Sequence, residues 1–235
     1  SNIVASRNMF RRILLLLSFC TFLAGCSNTN RAYFDSIKLA FQQQDITASP
    51  EKIRNNKKDL IAVKHGERYQ VIMALSFSEN GIDTWRSADN ALFFMQNDVI
   101  VQTHGLNNDL VYQSNLNANP LAADSATQTD WHYITDIEGY GYGLDVETSW
   151  RRAGEESLNV LSNDFNTNLI EQHVKYTGAK PFYESELSWI NRYWFDKSSG
   201  ELLKSEQKIS PANDWIRITF LSRAQRLIDA GSETK

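Results

Sequence analysis

The chain is poor in the residues that build catalytic and metal sites. It has two cysteines among 235 residues, Cys20 and Cys26, and four histidines, His65, His104, His132 and His173. No two histidines stand four apart, as a zinc-binding helix requires, and no cysteine supports them. No G-x-S-x-G elbow, S-x-x-K pair or P-loop occurs. His104-Gly105-Leu106 holds a single glycine, weak material for an oxyanion loop. These absences leave no catalytic signature, no metal and no cofactor to expect. Positive charge is also in deficit, with 24 Lys and Arg against 28 Asp and Glu. A nucleic-acid partner, whose phosphates call for a basic stripe, is therefore not expected. The longest apolar run is also too short to cross a hydrocarbon core as a helix, which takes about 20 residues.

That run has another use. Met9 reads as the natural start, with Ser1–Asn8 upstream of it, and Arg11 and Arg12 form a basic leader. Ile13–Phe22 is apolar except for Ser18, Cys20 and Thr21, the length of a signal-peptide core. Leu23, Ala24, Gly25 and Cys26 follow. Their order resembles the lipobox of bacterial lipoproteins, in which the cysteine is acylated and becomes the first residue. Residues 1–25 are thus expected to be a signal peptide and 26–235 a single mature domain. Cleavage removes Arg7, Arg11 and Arg12 and no acid, leaving 21 basic against 28 acidic residues. It also removes Cys20, so Cys26 becomes the only thiol and can enter no internal disulfide. A lone thiol in an oxidising compartment is a liability that acylation would cap. Each buried CH₂ adds about 0.8 kcal/mol of membrane affinity, so palmitate-like chains on Cys26 would anchor the domain stably. Ser27 occupies the sorting position at which Asp commonly retains Gram-negative lipoproteins in the inner membrane. The resemblance therefore implies an outer-membrane anchor, with the domain facing the periplasm.

Residues 27–30 make a short polar tether. Asn30–Gln44 is expected to be a helix, with Phe34, Ile37 and Phe41 on one face, and residues 45–58 a loop. From Asp59 the period changes to two. Strands are expected over 69–77, 82–86, 92–95, 99–103, 110–113, 140–151, 158–161, 169–176, 182–195, 202–209 and 215–221, with a long polar loop at 114–130. Asn80-Gly81 is a strong hairpin signal. Gly154, residues 196–200 and residues 211–214 are expected to turn the chain, and a short helix to start from Arg223. In the 140–151 strand, Tyr140, Tyr142, Leu144, Val146, Thr148 and Trp150 share the expected buried face. Gly141 and Gly143 on the other face mark a bend or a close approach. No βα alternation occurs, which excludes a parallel sheet. The fold class is mainly β: an antiparallel meander of about ten strands forming a strongly curved sheet or incomplete barrel. The N-terminal helix would plug its open side.

Carboxylates at i, i+2 (Asp136 with Glu138, Asp145 with Glu147) satisfy the geometry of a glycosidase pair, and equally that of a wet strand face. Trp131, Tyr133, Tyr140, Tyr142, Trp150, Trp189, Tyr193 and Trp194 crowd one half of the chain and suit a core. Trp189 and Trp194 lie on opposite faces of one strand, so one of them leaves a single-sided core. Trp189, Tyr193 and Trp194 are the candidate ligand-facing aromatics.

Several stretches together carry a family resemblance: Val101-Gln102-Thr103-His104-Gly105-Leu106 with Asn108-Asp109-Leu110, then Asn191-Arg192-Tyr193-Trp194-Phe195-Asp196 with Gly200, and Leu203-Lys204-Ser205-Glu206-Gln207. With the lipobox they resemble the lipoproteins of group 4 capsule and exopolysaccharide operons, the YjbF/GfcB type. The resemblance implies a non-enzymatic accessory factor of polysaccharide assembly or export. Its partners would be other export proteins and the polysaccharide itself. The alternatives are a carrier holding a lipid or lipid-linked glycan in the concave sheet, and a glycan-modifying enzyme using the paired carboxylates.

Overall fold

In the computed structural model, residues 44–121, 130–178 and 186–233 are described. Leu23, Ala24, Gly25, Cys26, Ser27 and all but the last residue of the expected helix 30–44 lie outside them. The described residues form helix α1 (Pro50–Asn55) and twelve strands. These are β1 (Leu60–His65), β2 (Val71–Glu79), β3 (Ile82–Ser87), β4 (Leu92–Gln96), β5 (Val99–His104) and β6 (Leu110–Gln113), then β7 (Asp130–Ile137), β8 (Gly141–Val160), β9 (Asn163–Tyr176), β10 (Ser188–Asp196), β11 (Leu202–Gln207) and β12 (Ile216–Phe220). Helix α2 (Leu221–Glu233) closes the chain. All strands join one antiparallel sheet in the order β5-β4-β3-β2-β1-β12-β11-β10-β9-β8-β7-β6. Its edges, β5 and β6, are consecutive in sequence and lie close together without a ladder, so the sheet is a nearly closed barrel.

Turn chemistry sets the meander. Asn80-Gly81 (φ 52° and 77°) and Asn97-Asp98 (φ 46° and 68°) take the left-handed pair that matches strand twist in two-residue hairpins. The β8–β9 hairpin uses Leu161-Ser162 at φ 52° and 61°, a pair with no turn signature. Side chains hold it: Asn163 Nδ2 donates to the Leu161 carbonyl (2.7 Å) and Asn159 to Asp164 (2.7 Å).

Alternating side chains fill the barrel. Trp85 packs edge-on to Phe220 at 6.3 Å, Trp150 tilts over Tyr193 at 5.1 Å and Tyr176 stacks on Trp189 at 5.5 Å. Ile61, Met95, Val146, Ile216 and Ile218 close the gaps. On the outer face, α1 and α2 cover a second apolar layer. Ile53 and Leu221 pack with Leu60 and Ala62, and Ala224 packs with Leu203 and Val160. Forked Arg–carboxylate pairs fasten α2: Arg54 to Asp229, Arg226 to Asp59 and Arg223 to Asp98.

Four expectations are corrected. Residues 45–58 are not all loop. Pro50 opens α1, and the Ser49 side chain accepts from Lys52 N–H; six residues are too few for a helical period to show. Gly154 does not turn the chain but makes a bulge (φ 110°) inside a 20-residue β8, so the strand expected over 158–161 is the end of β8. Tyr142 is not buried but 69% exposed, because the ladder slips between Thr135 and Ile137 and Gly143 takes φ 62° there. The C-terminal helix begins at Leu221, two residues before the expected start at Arg223.

Candidate functional site

The first family-like stretch is the hinge between the two sheet edges. Asp109 is buried, and its carboxylate accepts from Thr103 Oγ1 (2.8 Å), Gly105 N–H (2.8 Å) and Leu106 N–H (3.0 Å). Leu110 N–H donates back to Thr103 Oγ1 at 3.0 Å. Asn108 bridges outward, donating to the Glu138 carbonyl (2.9 Å) and accepting from Asn213 (2.9 Å). Gly105 sits at φ 96° over Ala91, where a side chain would be strained. His104 is exposed at the end of β5. These residues close a barrel rather than stabilise an oxyanion.

The candidate aromatics are packed. Tyr193 is fully buried, and Trp189 and Trp194 are each 6% exposed. Trp189 Nε1 donates to the Lys208 carbonyl (2.9 Å) and to Asn191 Oδ1 (3.1 Å). Asn191 Nδ2 and Tyr193 O–H both donate to Gln172 Oε1, at 3.0 and 3.2 Å. Burial raises the Tyr193, Tyr133 and Tyr176 phenols, so all three stay neutral hydrogen-bonding groups. Trp194 faces outward but is covered. Its indole N–H donates to Glu156 (2.7 Å), and the Lys204 ammonium lies 4.7 Å above the ring. From β11, Gln207 spans the barrel, donating to the Asp98 carbonyl (2.8 Å) and accepting from Ile100 N–H (2.9 Å).

A cleft of about 910 Å³ opens across β7–β10, with His132, Glu147, His173, Lys175, Trp189 and Arg192 among its lining residues. Glu171 beside it accepts from Arg151 at 3.0 Å and lies 3.4 Å from His173, and the Arg151 hydrogen bond holds its carboxyl below the usual range. Asp136 and Glu138 do not share a strand face. Asp136 ends β7 and accepts from Gly143 N–H (2.6 Å), while Glu138 lies in the turn that follows. Asp145 and Glu147 share the outer face of β8, with His132 3.5 Å from Asp145. Among the described residues no three His, Cys, Asp or Glu side chains gather as metal ligands, and no helix is long and apolar enough to cross a membrane.

One constellation lay beyond the periodicity argument. Asp136 on β7 has a bulge on each side. The β6 ladder slips between Leu110 and Tyr112, and the β8 ladder slips opposite Asp136 at Tyr142-Gly143. Each slip brings a tyrosine to the surface, Tyr112 at 52% and Tyr142 at 69% exposed, beside Val111 and Ile134 at 40% each. The only sequence signal was the pair of glycines flanking Tyr142.

Fold and site together define a class: a small, nearly closed antiparallel barrel with a packed interior and a bare patch on its outer wall. The chain matches the family described as group 4 capsule polysaccharide lipoprotein gfcB, YjbF over residues 34–221, and it belongs to that family. It is 26% identical to the lipoprotein GfcB of Escherichia coli K12 over 218 residues, spanning 91% of this chain and 99% of that protein. It is 23% identical to the lipoprotein YjbF of the same organism, over 90% and 98%. The crystal structure of the lipoprotein YmcC from E. coli K12 has the same fold, with a TM-score of 0.63 and 21% identity over 80% of this chain and 94% of that one.

Proposed function

We propose that the protein is a non-enzymatic accessory factor of capsule or exopolysaccharide assembly or export, held at the outer membrane through an acylated Cys26 and facing the periplasm. The family match along 188 residues carries this reading. The geometry supports it from the other side. Each stretch that resembles the family has a structural task, whether closing the seam, joining strands across the interior or seating α2. The carrier reading finds no support in the interior, which Trp85, Trp131, Tyr133, Trp150 and Tyr193 fill. The leader, the Leu23-Ala24-Gly25-Cys26 lipobox and Ser27 supply the address and the anchor. The test is secreted and cell-retained polysaccharide in a deletion strain carrying wild type or Cys26→Ala. Secretion restored by wild type alone supports an anchored export factor. Unchanged polysaccharide in the deletion strain contradicts the role, and full rescue by Cys26→Ala contradicts the need for the anchor.

A further inference from the structure

We infer that the outer face of β6, β7 and the start of β8 is a saccharide-contact platform, built from Tyr112 and Tyr142 on either side of Asp136 and selective for neutral over acidic sugar chains. The choice of a glycan rests on the proposed role in polysaccharide traffic; the placement and the charge preference come from the structure.

Four of the seven large hydrophobic side chains most exposed among the described residues lie here, Val111, Tyr112, Ile134 and Tyr142. A contiguous exposed apolar patch marks an interaction surface. Perfect alternation would have left one residue of each neighbouring strand opposite Asp136. The two slips place Val111-Tyr112 on one side and Tyr142-Gly143 on the other. A bulge re-aims a side chain at some cost to the ladder, and bulges concentrate beside functional sites. Here two bulges flank one residue, and each exposes a tyrosine.

The spacing suits sugar rings. Tyr112 and Tyr142 sit on strands two apart, and two strand spacings are about 10 Å, roughly the length of a disaccharide. A tyrosine presents an apolar face to the C–H side of a pyranose and a hydroxyl to its rim. Asp136 lies between the two. One of its oxygens accepts Gly143 N–H, which fixes the carboxylate, and the remaining acceptor sites can take sugar hydroxyls. Ile134 and Val111 floor the platform. Charge decides the class of sugar. Residues 110–113, 130–137 and 141–150 contain no Lys or Arg but include Asp130, Asp136, Asp145 and Glu147. An acidic chain would be repelled at close range, and a neutral one would not.

The test uses the full-length protein in detergent on immobilised oligosaccharides of neutral hexoses, N-acetylhexosamines and uronic acids. Wild type should be retained on neutral or N-acetylated chains and not on uronates. The double variant Tyr112→Ala/Tyr142→Ala should lose retention at least tenfold with an unchanged melting temperature, and Asp136→Asn should lose it several-fold. Retention on no saccharide, preference for uronates, or equal retention by the double variant overturns the platform. These outcomes are separable from failure of the export role. A deletion strain that loses secretion but is fully rescued by the double variant sinks the platform alone. A deletion strain with normal secretion sinks the export role, and leaves the binding result to stand or fall by itself.

Discussion

The outer wall of the barrel has two halves that treat their apolar residues differently. Over β1, the first half of β2, β11 and β12, outward apolar residues such as Leu60, Ala62, Ile72 and Leu203 are sealed by α1 and α2, and only beyond the bulge in β2 does Phe77 come out, 51% exposed. Over β6–β8, Val111, Tyr112, Ile134 and Tyr142 stay open. The first half is clamped by forked Arg–Asp pairs at 2.7–3.2 Å. The second has a bulge on each side of Asp136, and residues 110–113, 130–137 and 141–150 carry no Lys or Arg. Where the chain spends its own helices on a surface, that surface is structural. Where it leaves aromatics bare and distorts strands to aim them, the surface is available to something else.

Substitutions separate the halves by what they change. Leu203→Ala empties a site with no solvent exposure beneath α2, and should cost about 2–5 kcal/mol in denaturant unfolding. Asp109→Ala leaves the Thr103 hydroxyl and two backbone N–H groups without their acceptor at the seam. Its cost, on the order of 3 kcal/mol, should appear with faster amide exchange in β5 and β6. Asp98→Ala frees Arg223 from its fork. Both side chains keep some solvent contact (18% and 16%), so the loss should be about 1–3 kcal/mol, less than for a fully buried pair. At the small end, Tyr142→Ala should shift stability by no more than about 0.5 kcal/mol. Equal stability losses for Leu203→Ala and Tyr142→Ala would erase the comparison.

A pH prediction comes from β1. His65 lies partly buried, its Nδ1 accepting from Arg68 (3.3 Å) and its Nε2 enclosed without a partner. Burial, and then the Arg68 charge, lower its pKa below the ordinary 6.5. The unfolded chain therefore binds this proton first. Stability should fall as pH drops below about 6.5, and level off below the depressed folded value. His65→Gln should flatten that slope in melting temperature measured from pH 7.5 downward.

Much of the barrel was legible because two-residue periodicity and Asn-Gly or Asn-Asp turns are local signals. Leu110–Gln113 and the turns at 80–81 and 196–200 stand where expected. Features set by tertiary contact were not legible. The hairpin at Leu161-Ser162 has no turn composition and is held by Asn159, Asp164 and Asn163. The bulge at Gly154 looks like a turn to any argument based on glycine alone. Periodicity also placed Tyr142 in the core, since alternation has no way to signal a slipped ladder. The candidate aromatics illustrate the reverse. Spacing put Trp189 and Trp194 on opposite faces correctly, but it could not foresee that Glu156 and Lys204 would cover the outward one.

The most direct test of the account is polysaccharide secretion from the deletion strain carrying Tyr112→Ala/Tyr142→Ala at wild-type protein level and melting temperature. The account predicts that secretion falls severalfold or more although the protein is folded and anchored. Secretion equal to wild type would contradict the claim that the bare half of the wall is the working surface.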